Sequence, residues 1–215
     1  MYGGGRSDQR RLVLTGFASP GGLESLTLWL VRVVFVSVLV FICKSDLRER
    51  RIPNRLVGVG LAVALMWHAF ASAGAGLFDA VDPGALGVAA SAMGALAAFG
   101  LFIVLHLFRV MGAGDVKLMT MLGAFFGVAL LPPLVAAVFA AGGLLVLVRL
   151  LDGERRRAVA ANLRVLAFGG LAALAGHAGP RFDAKRDTAD RLPFAFAIAG
   201  GAFAVAALQW YGALA

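Results

Sequence analysis

Between Leu118 and Val148 the chain carries no charged residue. A run of that length exceeds the roughly 20 residues that a helix needs to cross about 30 Å of hydrocarbon. Four more apolar runs accompany it: Ser25–Cys43, Leu56–Phe78, Gly84–Phe108 and Pro193–Ala213. In lipid every backbone N–H and C=O must be paired internally, which leaves helices as the way to span. Composition agrees, since 60% of the 215 residues are hydrophobic and 15% are charged. A soluble domain carries about 25% charge. Frequent glycine suits close helix packing in lipid. These observations give an all-α, polytopic membrane protein.

Sidedness follows from the basic residues. Lys44, Arg48, Arg50, Arg51 and Arg55 fall between the first two runs, so that loop is expected in the cytoplasm. Asp79 and Asp82 mark the next loop as a solvated outer one, and Arg109 and Lys117 mark the following one as inner. Leu118–Val148 is then either one kinked helix or two helices joined at Pro132-Pro133. The hairpin keeps Arg149 and Arg155–Arg157 inside, so it is preferred, with spans at Lys117–Leu131 and Pro133–Leu151. The short Gly-rich patch Val165–Ala178 reads as interfacial or re-entrant. The result is a bundle of about six transmembrane helices, residues 24–215, with Trp29 and Trp210-Tyr211 as outer interface anchors. Arg32, inside the first run, is expected to snorkel. Residues 1–23 read as a disordered polar tail rather than a signal peptide. This topology puts that tail outside, against the preference of Arg6, Arg10 and Arg11. The net charge of +8 is spread in short blocks that set topology, so the lipid bilayer is the expected partner and nucleic acid is not.

Two acidic positions stand at the cytoplasmic ends of these runs. One is Asp115 in Gly112-Ala113-Gly114-Asp115-Val116-Lys117, and the other is Asp46 in Ser45-Asp46-Leu47-Arg48. A carboxylate at the edge of a membrane helix is costly and marks a functional site. Gly112 and Gly114 permit a sharp bend and close approach of other groups. Two carboxylates sharing a low-dielectric pocket cannot both ionise easily. The ionised one can take a proton from water while the protonated one donates to a peptide carbonyl or leaving nitrogen. The competing structural readings are a loop aspartate pairing with Arg48 or Arg50, and a helix cap for Asp115. Lys117 either tunes the pocket or marks the membrane boundary, the second being preferred. Pro53-Asn54 suits a turn into the second span. His68 and His106 are isolated and read as helix-packing residues, and His177 has no evident role. Cys43 is the single cysteine, so no cysteine-rich zinc site forms, and no metal or cofactor is expected.

At Asp46-Leu47-Arg48-Glu49-Arg50-Arg51-Ile52-Pro53-Asn54 and Gly112-Ala113-Gly114-Asp115-Val116-Lys117-Leu118 the chain resembles the type IV prepilin peptidases, bacterial membrane aspartic proteases. It looks most like their short form serving tight-adherence (Flp) pili, the TadV/CpaA group. The resemblance implies catalysis by Asp46 and Asp115, with Gly112, Gly114, Lys117, Arg51, Pro53 and Asn54 as the supporting motif. It implies cleavage of a short basic leader, typically after Gly, from a prepilin or pseudopilin at the cytoplasmic face of the bacterial inner membrane. Larger members of that family carry a cysteine-rich zinc segment linked with N-methylation, so peptidase activity without methyltransferase activity is expected here. A weaker match runs over Arg191–Ile198, where Phe194 and Phe196 replace the Tyr and second Pro of the family pattern. Ala89, Gly94 and Gly100 are read as lining a groove for the substrate helix. Two other classes compete: a small membrane transporter, and a structural subunit of a pilus or secretion machine. The first should place ionisable groups at the bilayer midplane, and the second would not need both aspartates.

Overall fold

The computed structural model describes residues 20–109, 111–151, 153, 157 and 194–214. Within them the chain forms six helices: α1 (Pro20–Glu49), α2 (Asn54–Phe70), α3 (Val88–Leu107), α4 (Ala113–Phe126), α5 (Leu131–Leu150) and α6 (Phe194–Trp210). Three of them, over Glu24–Glu49, Val88–Leu107 and Leu131–Leu150, are long and apolar enough to cross a membrane. The all-α membrane architecture expected from the apolar runs is therefore present. The Val165–Ala178 patch and the 1–19 part of the tail lie outside the described residues.

The centre of the bundle is α4. Val116, Leu118, Met119 and every residue from Met121 to Phe126 are buried. Its 14 residues make a helix about 21 Å long, too short for the hydrocarbon core. The outer end is completed by the segment between α2 and α3. There α2 stops at Phe70, eight residues before the expected limit of its span, and the chain folds back over the bundle. Leu77 and Phe78 plug the space above α4, with Phe78 stacked on Phe126 at 5.4 Å and edge-on to Phe35 at 4.9 Å. Irregular backbone at this depth is tolerable only if its polar groups are paired. Several of them are: Gly74 N–H donates to Ala85 O at 3.0 Å, Ala75 N–H to Asp82 O at 2.9 Å, and Gln209 Nε2 to Ala75 O at 3.1 Å. Asp79 Oδ1 accepts from Val81 and Asp82 amides at 2.8 and 2.7 Å, an Asx turn within the loop.

Arg32 corrects the sequence reading. It does not snorkel. Its guanidinium is buried between the rings of Trp29 (5.4 Å) and Trp210 (5.0 Å) and donates twice to Leu77 O, at 2.9 and 2.8 Å. Two cation–π faces and the Leu77 carbonyl offset part of the cost of enclosing it, and they tie the α2–α3 loop to α1 and α6. Trp29 and Trp210 stand together at the end of the bundle away from Asp46 and Asp115.

The hairpin reading of Leu118–Val148 holds, but the break is elsewhere. The chain turns at Gly127, which has φ +71° and donates its N–H to Gly123 O, and Pro132-Pro133 fall in the first turn of α5. Glycine supplies the left-handed backbone, and proline costs nothing where a helical N–H has no partner anyway.

Helix contacts are close where side chains are small. A Cβ on Gly94 of α3 would run into the Gly123 carbonyl oxygen of α4. One on Gly201 of α6 would lie 2.6 Å from the Val138 amide of α5. Gly94 therefore belongs to the core, while Ala89 and Gly100 face outward. The three do not line one groove. Polar side chains tie the far end of α4: Ser91 Oγ donates to Ala124 O at 2.7 Å. His68 Nδ1 accepts from Leu86 N–H at 3.0 Å while its Nε2, the protonated nitrogen, meets Phe125 O at 3.2 Å. His68 is the packing residue that its isolation suggested.

Candidate active site

The chain direction alternates through α1–α6, so the end of α1, the start of α2, the end of α3 and the starts of α4 and α6 gather at one end of the bundle. That end holds both aspartates. Asp46 is not in a loop. It lies on the last full turn of α1, which closes at Arg50 with φ +51° and the bond Arg50 N–H to Asp46 O at 3.0 Å. Its carboxylate accepts the Ala195 N–H at 3.3 Å. Ala195 is the second residue of α6, and such first-turn amides have no partner within their helix. Cys43, one turn earlier on α1, directs its thiol at Ala195 O at 3.7 Å. Thus α1 holds both polar groups of one residue at the start of α6. Arg48 and Arg50 are exposed, and the Ala195 amide, rather than either of them, is the hydrogen-bond partner of Asp46.

Asp115 is the third residue of α4. Its Oδ2 reaches back to accept the Gly112 N–H at 3.2 Å, the half of a capping box that a carboxylate can supply. The site is partly buried at the helix mouth, before the apolar run that begins at Leu118. Burial pushes the Asp115 carboxyl up to about 6, the Gly112 bond pulls it down, and the negative charge of Asp46 raises it. Asp115 thereby keeps its proton to a higher pH than an ordinary carboxyl, beside a second carboxylate, which is the electrostatic condition for dividing acid and base roles.

The two glycines matter for space rather than for a bend. Gly112 has φ −74° and ψ 149°, open to any residue, and Gly114 is helical. A Cβ on Gly112 would sit 3.2 Å from the Asp115 carboxylate, and one on Gly114 would sit 3.1 Å from Ile52 Cβ. The expected bend is not there; the expected close approach is. Ile52, quoted in the motif but given no role, is the residue that packs on Gly114. The loop bearing it is held by Ser45 Oγ donating to Arg51 O at 3.0 Å. Arg51 itself is exposed. Pro53, with φ −68°, precedes α2 and its carbonyl accepts the Leu56 and Val57 amides. Asn54, the first residue of α2, accepts from Lys117 Nζ at 3.0 Å. Lys117 therefore braces α2 against α4. This pair is exposed, so its worth is no more than about 1 kcal/mol. A double-mutant cycle of Lys117→Met and Asn54→Ala on thermal unfolding should return a coupling within that limit.

Sequence reasoning missed two groups. Ala195 carries no side-chain chemistry; the only hint was the weaker match around Arg191–Ile198. His106, read as packing, places Nδ1 2.9 Å from Met111 O, directly before Gly112. Phe194, where the family pattern has another residue, lies over Gly142 of α5, 3.0 Å from where a Cβ would stand. Among the described residues no cluster of His, Cys, Asp or Glu could hold a metal ion.

No curated protein and no solved structure matches the chain. A family model does: the type IV leader peptidase family covers residues 33–147, which is 115 of the 215 residues. The matched stretch begins in α1, ends in α5 and contains Asp46, the Ile52–Pro53–Asn54 turn and Asp115. With half of its length matched and its membrane-helix architecture in agreement, the chain belongs to the type IV leader peptidase family, a family of membrane peptidases.

Proposed function

We propose that this protein is a membrane aspartic endopeptidase of the short, Flp-associated kind. Its substrates are prepilins or pseudopilins, and it removes their short basic leader at the cytoplasmic face of the bacterial inner membrane. The observation that carries the reading is the placement of Asp46 and Asp115 at one end of the bundle, close enough for the charge of one to raise the other.

Asp46 is the base. It takes a proton from water, and the oxygen adds to the scissile carbonyl carbon. Asp115 is the acid. It protonates the carbonyl oxygen as the water adds. Asp46 then passes the proton it took to the leaving nitrogen while Asp115 takes one back from a hydroxyl of the tetrahedral diol, so that the peptide bond breaks and both carboxyls return to their starting states. Asp46 is aimed by the Ala195 amide, and Asp115 by the Gly112 amide. A prepilin fits this site because its apolar helix lies in the membrane while its basic leader stays in the cytoplasm, which puts the scissile bond at the interface. The basic residues of the α1–α2 loop support that sidedness. The peptidase unit is residues 24–215. The one cysteine is buried in α1, and no N-methylation of the product is expected.

The test is processing of a prepilin with a basic leader in membranes containing the protein, followed over pH 5 to 8. Because Asp115 must hold its proton, cleavage is expected to fall as pH rises through about 6. A rate that rises steadily across that range would show that cleavage does not need a proton on Asp115, and its assignment as the acid would fall. Absence of cleavage at every pH would remove the prepilin reading.

A further inference from the structure

His106 reaches the site from outside both motifs. It stands in the last turn of α3, partly buried, with Nδ1 2.9 Å from the Met111 carbonyl oxygen. A carbonyl oxygen can only accept, so Nδ1 carries the proton. That carbonyl belongs to the Met111–Gly112 peptide, and the N–H of the same peptide donates to Asp115 Oδ2 at 3.2 Å. One planar amide thus joins the imidazole to the carboxyl group. A hydrogen bond to the oxygen of an amide draws electron density toward it and makes its N–H a stronger donor.

We propose that His106 is a positioning residue for leader cleavage, acting through the Met111–Gly112 peptide to aim the Gly112 N–H at Asp115 and strengthen that bond. The inference rests on Asp115 being a reacting carboxyl. It assigns His106 no contact with substrate. The local backbone needs such a brace: Arg109, in the turn between the two helices, takes φ +59°, an unfavourable conformation for a residue with a Cβ. This turn connects the end of α3 to the start of α4.

The charged groups at this end of the bundle include Lys44, Asp46, Arg48 and Glu49 on α1, Arg50 and Arg51 in the following loop, Arg55 on α2, Arg109 in the turn, Lys117 on α4 and Arg149 on α5. Of these, Asp46 is the one whose charge shifts Asp115. A change in the alkaline limb of the cleavage profile, with Asp46 intact, therefore reports on the Gly112 bond. That bond favours the ionised form of Asp115. Weakening it raises the pH at which the proton is lost.

The experiment compares His106→Asn, His106→Gln and His106→Phe in prepilin cleavage across pH 5 to 8. An Asn amide nitrogen falls where Nδ1 stands, while a Gln amide reaches toward the Nε2 position. His106→Asn is expected to keep the wild-type limb and most of the rate. His106→Gln and His106→Phe should move the limb upward by roughly 0.3 to 0.6 pH unit and lower kcat by roughly tenfold with KM unchanged. If His106→Phe does not accumulate in the membrane, the Asn and Gln contrast decides alone. An unmoved limb in His106→Gln, or the same shift in His106→Asn, overturns the proposal. So does failure of all three to accumulate, which marks a packing role. Asp115→Asn run beside them separates the two levels. If it cleaves normally, the reading of Asp115 falls. If it is inactive while His106→Gln keeps the wild-type limb, only the relay falls.

Discussion

Asp46→Asn and Asp115→Asn are each expected to lower prepilin cleavage by roughly 1,000-fold or more, and the double variant by little beyond that. Asparagine matches aspartate in shape. At position 46 its amide oxygen can still accept the Ala195 N–H, and at position 115 it can still accept the Gly112 N–H. What it cannot do is exchange a proton. Each single change removes one half of a step that needs both halves, which is why the losses should not add. Processing by membranes with matched amounts of each variant measures this. Cleavage above about one tenth of wild type in either would detach that residue from the chemistry.

Loss of activity in Asp115→Asn should not come from loss of fold. The Asp115 carboxyl is raised from 3.8 to about 6, first by burial. A raised acid binds its proton more tightly in the folded state, so stability from this group is fully retained below pH 3.8 and declines as pH climbs to about 6. Above that the ionised form costs on the order of 3 kcal/mol. A neutral asparagine escapes that cost. At pH 7.5 the variant is expected to unfold at a temperature no lower than wild type, and this advantage should shrink toward pH 4. A variant less stable than wild type at pH 7.5 would show that the ionised carboxyl is better solvated than its burial implies.

The reading from sequence succeeded where one physical rule dominated. Apolar runs and basic loops gave the helix order, the hairpin and the shared end of Asp46 and Asp115, because lipid allows few alternatives. It failed where a residue had two satisfactory environments. Arg32 could reach water or be enclosed, and only the positions of Trp29, Trp210 and Leu77 O decide for enclosure. Leu77 and Phe78 are apolar and extend the expected second span to Phe78, past the end of α2 at Phe70. Their apolarity serves a loop that caps a short α4, which hydropathy cannot tell from a longer helix. Pro132-Pro133 suggest a break, but they fit a first turn equally well. At the site, side-chain chemistry was legible but backbone partners were not. The Ala195 amide and the Met111–Gly112 peptide leave no mark in residue type.

Gly94→Val is expected to produce the largest loss not caused by removing an aspartate. At position 94 a Cβ would meet the Gly123 carbonyl oxygen and lie 2.7 Å from both C and Cα of Gly127. These are backbone atoms, so no rotamer change relieves the clash. Gly123 presents the same problem in return, since its own Cβ would strike Gly94 O and sit 2.7 Å from Ala98 Cβ. Overpacking a core typically costs 1–3 kcal/mol, and a clash with helix backbone on both sides belongs at or above the top of that range. The helices α3 and α4 must separate or slide. Asp115 travels with α4, while Asp46 is held by α1 and α6, so their relation changes even if the bundle survives. A misplacement of about 1 Å at a reacting group costs roughly 100-fold in rate. Gly94→Ala should show the same effect in weaker form. The control is Gly100→Ala on the same helix, where a Cβ meets nothing within 4 Å and the gain in helix propensity is about 1 kcal/mol. Accumulation, thermal unfolding and prepilin cleavage of the three variants should therefore separate sharply. Normal stability and full cleavage in Gly94→Val would mean that α3 does not hold α4 in place. The position of Asp115 would then depend on the contacts of α4 with α2 and its flanking loop, the Ile52–Gly114 packing and the Asn54–Lys117 bond among them.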